Sequence, residues 1–484
     1  MKRLFCIILC AVLLSSCSQT TAPETETAAA VTETLTETET ELQDSLPEKN
    51  YNGTSYVVLS ASEQWQDIYM AEELNGELLN DAVYQRNLGI AERFGIDFQY
   101  EIVNGYLAGK QIVQDKLMGS IQAGDAVYDL FTASSSYVGT YILNNLLKNM
   151  TDLEYLDFKA PWYYHDANDA LTIQNTLYCT AGYFGMDTLD YCGIMLFNKE
   201  MFLDLGYEEP YSLVKEGKWT YDVMHSLAEG AVQDLNGDGI MDDSDRFGIL
   251  ETGSGTYREG IQFLGYAMGY HITDTINGKP SYIAPSEQVI QITDTLTTLL
   301  QDKNGMIYTC ALVTAEELIP MFSAGQGLFG LYSLRIVKTP ELRDGVNFGI
   351  LPCPKLNEIQ EKYHALSFVE IQAIPLVVKD LEMSQIVLEG LNSGTYLDVY
   401  PNYYSTVLQR KLSQDLESGE MLDIIREGAV CDFGMVYLSV LSSELHGFEG
   451  IIAAQSFTTW WASNEKALQT KLDTLIEELA SLQG

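Results

Sequence analysis

The order of apolar segments predicts an α/β protein. After the first fifty residues, stretches with strand-like alternation or near-continuous apolar character are separated by stretches of helical periodicity, in the order strand, helix, strand, helix, strand. Two further observations set the scale. A chain of 484 residues with 46% hydrophobic content can bury more than one core, and its length predicts two to three domains or lobes. Its formal charge of −41, from 27 Lys and Arg against 68 Asp and Glu, excludes nucleic acid as a partner, because neutralising phosphates needs clustered basic residues. The plainest use of that charge is solubility outside the cell.

The first strand is Tyr56-Val57-Val58-Leu59-Ser60. Asn80-Asp81 reads as a helix start, with Val83, Asn87, Ile90 and Phe94 on one face and Gly95 as the stop. Phe98-Tyr100-Ile102 alternates as a second strand, and a helix follows through Ile112, Leu117 and Ile121. Val127-Tyr128-Asp129-Leu130-Phe131 is a near-continuous apolar strand, the pattern of a mostly parallel sheet covered by helices. It runs into Ser134-Ser135-Ser136 and a helix carrying Ile142 and Leu146. Ligands of open α/β sheets bind beyond the carboxyl ends of strands, so these hydroxyls and helix-start amides are candidates for binding; N-capping by one serine is the plain alternative.

An aromatic-rich extended segment, a small-residue turn and a further strand ending at Asn198-Lys199 occupy 177–202. Strands are also expected at 246–250, 325–332, 348–352 and 373–378, helices around Ile261 and Leu264 and over 289–300, and an exposed turn at 277–280. The chain ends in a helical stripe of Leu468, Leu472, Leu475, Ile476 and Leu479. Trp219 is expected to pack the start of its helix, and Trp460-Trp461 reads as core or as cleft wall.

Between the helix marked by Val223, Leu227 and Val232 and the strand after Arg246, the spacing matches an EF-hand-type calcium loop. Asp234, Asn236, Asp238, Asp242 and Asp245 take positions one, three, five, nine and twelve, Ile240 offers its carbonyl at seven, and Gly239 supplies the sharp turn at six. A hard cation needs about six or seven oxygens at short range, which alternating carboxylates on a tight loop provide. The flanks make it a helix–loop–strand clip rather than a sensor. Asp245 is shorter than the usual Glu at twelve, and an Asx-rich turn without an ion is the alternative.

The N-terminus reads as an address. Lys2 and Arg3 precede an apolar run at 4–14 too short to span a membrane, and Leu14-Ser15-Ser16-Cys17 resembles the bacterial lipobox, which makes Cys17 a lipid-bearing first residue. The Thr/Glu/Ala-rich stretch after it lacks aromatics and is expected to be a disordered tether. Cys6 and Cys10 leave with the signal; Cys179, Cys192, Cys310, Cys353 and Cys431 are odd in number, lack C-x-x-C spacing, and read as buried thiols.

Taken together, the segments resemble the extracellular solute-binding proteins of ABC importers, family 1, the maltodextrin-type branch. The carrying residues are the lipobox; Phe94-Gly95-Ile96; Asp129-Leu130 after Gly124; Gly182-Tyr183 through Leu196-Phe197-Asn198-Lys199; Trp219-Thr220; 234–248; 325–329; and 349–355. The resemblance implies a two-lobed, periplasmic-binding-protein-like fold of type II, closing by hinge motion over a ligand in the cleft. It divides the chain into a signal peptide at 1–16, the lipidated Cys and tether at 17–50, the first lobe's N-terminal part at 51–180, a second lobe with the calcium-type loop at 181–353, and at 354–484 a hinge return that completes the first lobe and adds helices to the second. Its crossings fall at 180–190 and about 354–374. By position it implies ligand contacts from Ser134, Ser135, Tyr183, Asp190, Tyr257, Tyr332, Arg335, Tyr403 and Tyr404, although most of the chain's 30 tyrosines must simply pack. The region around Ser134 lacks the large aromatic and acidic groups with which maltodextrin binders hold glucose units.

The implied partners are a small solute, an oligosaccharide first, ABC permease subunits, and the membrane through Cys17. A peptide or other polar solute, or a surface sensor or adhesin on the same fold, are the alternatives. An enzyme is not expected: the chain has no H-E-x-x-H or G-x-S-x-G, and His165, His225, His271, His364 and His446 lack metal-ligand spacing.

Overall fold

In the computed structural model the described residues are 43–61, 68–104, 110–254, 257–276, 279–311, 318–404, 416–441 and 456–482. The lipobox with Cys17 and the tether as far as residue 42 lie outside them; 43–50, expected as tether, is instead held to the fold, where Asp44 pairs with Arg93 at 2.7 Å. Residues 44–484 form one compact unit.

The first sheet has the strand Thr54–Ser60 at its centre. Ile96–Ile102 and Leu130–Ser134 flank it in parallel, and Glu370–Ala373 closes the edge, antiparallel to Leu130–Ser134. The helix Leu78–Phe94 begins two residues earlier than expected. Gly95 ends it at φ 60°, where its N–H caps the Ala91 carbonyl and a Cβ is disfavoured. The strand read at 127–131 is displaced to Leu130–Ser134. Asp129 is the reason: its Oδ2 accepts from Val57 N at 2.9 Å while its own N–H donates to the Val57 carbonyl at 2.8 Å, so the ladder starts one residue later.

The second sheet runs Phe348–Pro352, Gly193–Asn198, Gly327–Ser333, Phe247–Ser254, with Ile307–Ala311 parallel to Phe247–Ser254 and the short strand Tyr257–Arg258 at its end. Gly193–Asn198 and Gly327–Ser333 are buried at every position, the mark of strands covered on both faces. The strand expected at 373–378 instead occupies Glu370–Ala373. Pro375 has no N–H to continue a ladder, and the chain there turns off to bond Leu146 and Lys148.

The register shows how the sheets are joined. Gly193 pairs with Ser333, the last residue of its strand, and Glu370 pairs with Ser134, the last residue of its own. Between those ends the two connecting segments run antiparallel, bridging at Thr180–Gln372 and Cys192–Ser367. The carboxyl ends of the parallel strands in both sheets therefore face each other, separated by the three residue steps from Ser367 to Glu370, about 10 Å at extended rise.

Helices cover both sheets. Glu259–Ala267 lies directly on the second sheet, where Gly193 lacks the Cβ that would collide with Phe263. The C-terminal helix Phe457–Ser481 buries Leu468, Leu472, Leu475 and Leu479 together with Trp460 and Trp461. Trp219 is fully buried, and its indole N–H donates to the Pro352 carbonyl at 3.0 Å, fastening its helix start to the end of the strand Phe348–Pro352. Cys179, Cys192 and Cys353 are buried free thiols and Cys431 is half-buried. Burial pushes the Cys192 thiol up to about 12, so it stays protonated and inert.

Candidate functional site

The space between the two sets of strand ends is where an α/β protein presents free backbone groups and loop side chains to a ligand. On the first-lobe wall, Ser134 Oγ accepts from Ser136 N at 3.4 Å and caps the short turn Ser135–Tyr137. Ser135 is buried and donates its N–H to the Val369 carbonyl at 2.9 Å. Glu370, paired with Ser134, is also buried and accepts from the Tyr69 hydroxyl at 3.4 Å. Tyr257 lies on the short strand that leads into the helix Glu259–Ala267.

Tyr332, Arg335, Asp190 and Tyr403 belong to one connected network. Arg335 Nη2 donates to the Tyr332 hydroxyl at 3.1 Å, and the guanidinium lies 5.7 Å from the Tyr191 ring centre. The Arg335 backbone N–H donates to the Asp190 carbonyl at 2.9 Å. The Asp190 carboxylate, 4% exposed, pairs with Lys338 Nζ and accepts from the Tyr403 hydroxyl. Asp190 thus ties the first crossing to a second-lobe turn and to the long helical segment behind it, with both oxygens engaged.

Tyr183 and Tyr404 lie in a neighbouring aromatic stack. Tyr183 is parallel to Tyr164 at 4.6 Å and edge-on to Tyr396 and Tyr400 at 4.9 and 4.8 Å. Tyr404 stacks on Tyr400 at 5.6 Å, donates to Asp423 Oδ1 at 2.6 Å, and carries the Arg426 guanidinium 5.5 Å above its ring.

The structure adds groups that the sequence reading passed over. Glu251 Oε1 accepts from Arg258 at 3.1 Å and Thr309 at 2.8 Å, and burial raises its carboxyl to about 7. Glu259, buried at the helix start, accepts from Thr252 at 3.3 Å in the field of Arg335; burial raises its pKa as well. A glutamate directly after Ile249-Leu250, inside an apolar strand, was the available signal for Glu251. A cavity of about 340 Å³ opens elsewhere on the first lobe, beside Phe158, His165 and Asn168. The Asn168 amide on its lining is already spent on Thr180 and Ala181.

In the loop 234–245, Gly239 takes a left-handed turn at φ 79°. Asp234 accepts from Gly237 and Gly239 N–H at 2.6 and 2.8 Å, Asn236 from Asp238 at 2.8 Å, and Asp238 from Ile240 at 2.8 Å. Asp242 accepts from Ser244 N at 2.9 Å. Asp245 accepts from Leu235 and Asp242 at 2.9 and 3.0 Å. Gln233 and Arg246 exchange two backbone hydrogen bonds at 3.0 Å and clip the loop's ends. The donor set is all oxygen, which suits a hard cation. Among the described residues, however, no three His, Cys, Asp or Glu side chains gather closely enough to surround a metal; here the carboxylates are committed to backbone amides.

No protein-family model matches the sequence, and no curated protein matches it significantly. Solved structures do match. An ABC substrate-binding protein of Listeria monocytogenes in complex with cycloalternan aligns over 88% of this chain and 99% of its own, at TM-score 0.52 and 14% identity. A cyclo/maltodextrin-binding protein complexed with maltotetraose aligns over 89% and 97%, at 0.54 and 15%. The GacH receptor of Streptomyces glaucescens, solved unliganded and with acarbose, aligns over 88% and 99%, at 0.52 and 13%. The fold of this chain is that of the two-lobed solute-binding proteins of ABC importers.

Proposed function

We propose that the protein is a non-enzymatic binding protein that captures an oligosaccharide outside the cell and delivers it to an ABC importer. The observation that carries this reading is the register: both crossings join carboxyl strand ends to carboxyl strand ends, an arrangement that supports contact of one ligand by two lobes. A ligand touching both walls stabilises the closed arrangement over the open one, and that differential contact drives hinge closure. The names of the structural neighbours, with cycloalternan, maltotetraose and acarbose as bound molecules, favour sugar. The lipobox-like Leu14-Ser15-Ser16-Cys17 supports attachment through a lipid on Cys17. No helix among the described residues is long and apolar enough to cross a membrane. Spacing and the Gly239 conformation support calcium as a structural ion at 234–245.

The test is a thermal-shift panel of mono- and oligosaccharides, short peptides and polyamines. A saturating ligand at a hundred times its Kd adds about 2.7 kcal/mol to the folded state and raises the midpoint. A shift from one glycan class supports the reading and names the substrate. Silence from every sugar with a shift from peptides replaces it, and the cationic Arg335, on the turn that follows the strand Gly327–Ser333, is the feature that favours this second reading.

A further inference from the structure

The cavity beside Phe158, of about 340 Å³, has the volume of a small ligand pocket. Its whole lining comes from 151–177, so a molecule held there touches neither the second sheet nor the segments that follow its strands. His165, Asn168, Asp169 and Thr172 line it from the helix His165–Leu171 and its cap, at the three- and four-residue spacing that gathers side chains on one helical face. Asn168 anchors that face through its bonds to Thr180 and Ala181. Elsewhere on the lining, the Phe158 ring is fixed edge-on to Tyr163 at 5.2 Å, and Leu177 N–H donates to Thr151 Oγ1 at 2.9 Å. The walls are therefore built before any ligand arrives.

Two opposite charges, Lys159 and Asp169, share this lining. Neither the ammonium nor the carboxylate has an ion pair or hydrogen bond with any described residue, the other included. A net anion or cation gains little here, because the charge that attracts it stands beside one that repels it. His165 donates its Nε2–H to the Ala160 carbonyl at 3.1 Å, which leaves Nδ1 as an acceptor. The cavity thus offers a donor at Lys159, acceptors at Asp169 and His165, and an apolar ring. A hydroxyl both donates and accepts, so a ring bearing several hydroxyls uses all three groups while its C–H face lies against Phe158.

We infer that this cavity is a second binding site, for a neutral polyhydroxyl ligand the size of one sugar ring, held by Lys159, Asp169 and His165 against Phe158. It goes beyond the cleft reading and stands independently of it, since its ligand meets one lobe only.

The experiment is titration of the full chain with D-glucose, D-mannose and glycine, followed by leucine-methyl NMR at Leu177 on the cavity lining. Wild type is compared with Asp169→Asn, Lys159→Met and the cleft variant Tyr332→Ala. A hexose should shift the Leu177 methyls saturably in wild type and equally in Tyr332→Ala. Its affinity should fall about tenfold in Asp169→Asn and in Lys159→Met, the loss of one charge-assisted hydrogen bond. Both side chains are exposed and bond nothing in the fold, so melting of these variants should match wild type. Leu177 methyls indifferent to both hexoses overturn the site, as does an affinity unchanged in both variants. A response to glycine without one to the hexoses overturns the ligand class. Oligosaccharide binding that is lost in Tyr332→Ala and leaves the Leu177 methyls unmoved keeps the cleft reading while this one falls.

Discussion

Replacing Glu251 by Gln should remove a pH dependence of stability whose size follows from the site. The carboxyl is fully buried between the second sheet and the helix Glu259–Ala267. The Arg258 guanidinium, the Thr309 hydroxyl and the Ile261 N–H lower its pKa, but desolvation outweighs them and raises it from 4.5 to about 7. The folded state therefore holds a proton that the unfolded chain has released. A raised carboxyl pKa contributes its stability in full below the unfolded value of 4.5 and loses it as pH rises through about 7. Two and a half units at about 1.4 kcal/mol each give about 3 kcal/mol lost on going from about pH 4.5 to about pH 8. Glutamine imitates the protonated carboxyl at every pH. The stability of Glu251→Gln relative to wild type should thus rise by about 3 kcal/mol across that range. Urea unfolding of both proteins at four pH values, read as the difference in free energy, measures it. A difference that is level with pH, or that shrinks toward alkaline pH, refutes a raised Glu251 pKa.

Three other outcomes are expected. Calcium should raise the melting midpoint of the wild type relative to chelator, and Asp238→Ala should abolish that increment while leaving solute binding in place; a wild-type midpoint indifferent to calcium removes the ion from the loop. Tyr332→Ala should weaken sugar binding by about 1–3 kcal/mol through the ring and its hold on Arg335, checked by titration; unchanged affinity makes Tyr332 a packing residue. Tyr403→Phe deletes the hydroxyl that donates to the buried Asp190 carboxylate and should cost about 1.5–3 kcal/mol in urea unfolding. No change there would mean that Lys338 alone satisfies Asp190.

Much of the architecture was legible because it depends on short-range pattern. Alternation at 98–102 and the helical stripe at 83–94 with its glycine stop are periodicities, and each segment took the expected local form. The misplaced strand ends were decided by long-range partners. Asp129 looked like the middle of a strand, yet its carboxylate occupies a backbone amide of another strand. The run at 373–378 looked extended, yet its ladder stops where Pro375 arrives.

The candidate site was less legible for the same reason. Position along the chain singled out Asp190, Tyr332, Arg335 and Tyr403, but nothing in their spacing says that residues up to 213 positions apart share hydrogen bonds. The sequence by itself determined the kinds of element, their order and the acid-rich loop, because these follow from residue type and local period. Only the tertiary structure decided which strand ends face each other and which carboxylates lose their water. Those are properties of the space between segments, and that space exists only once the chain has closed on itself.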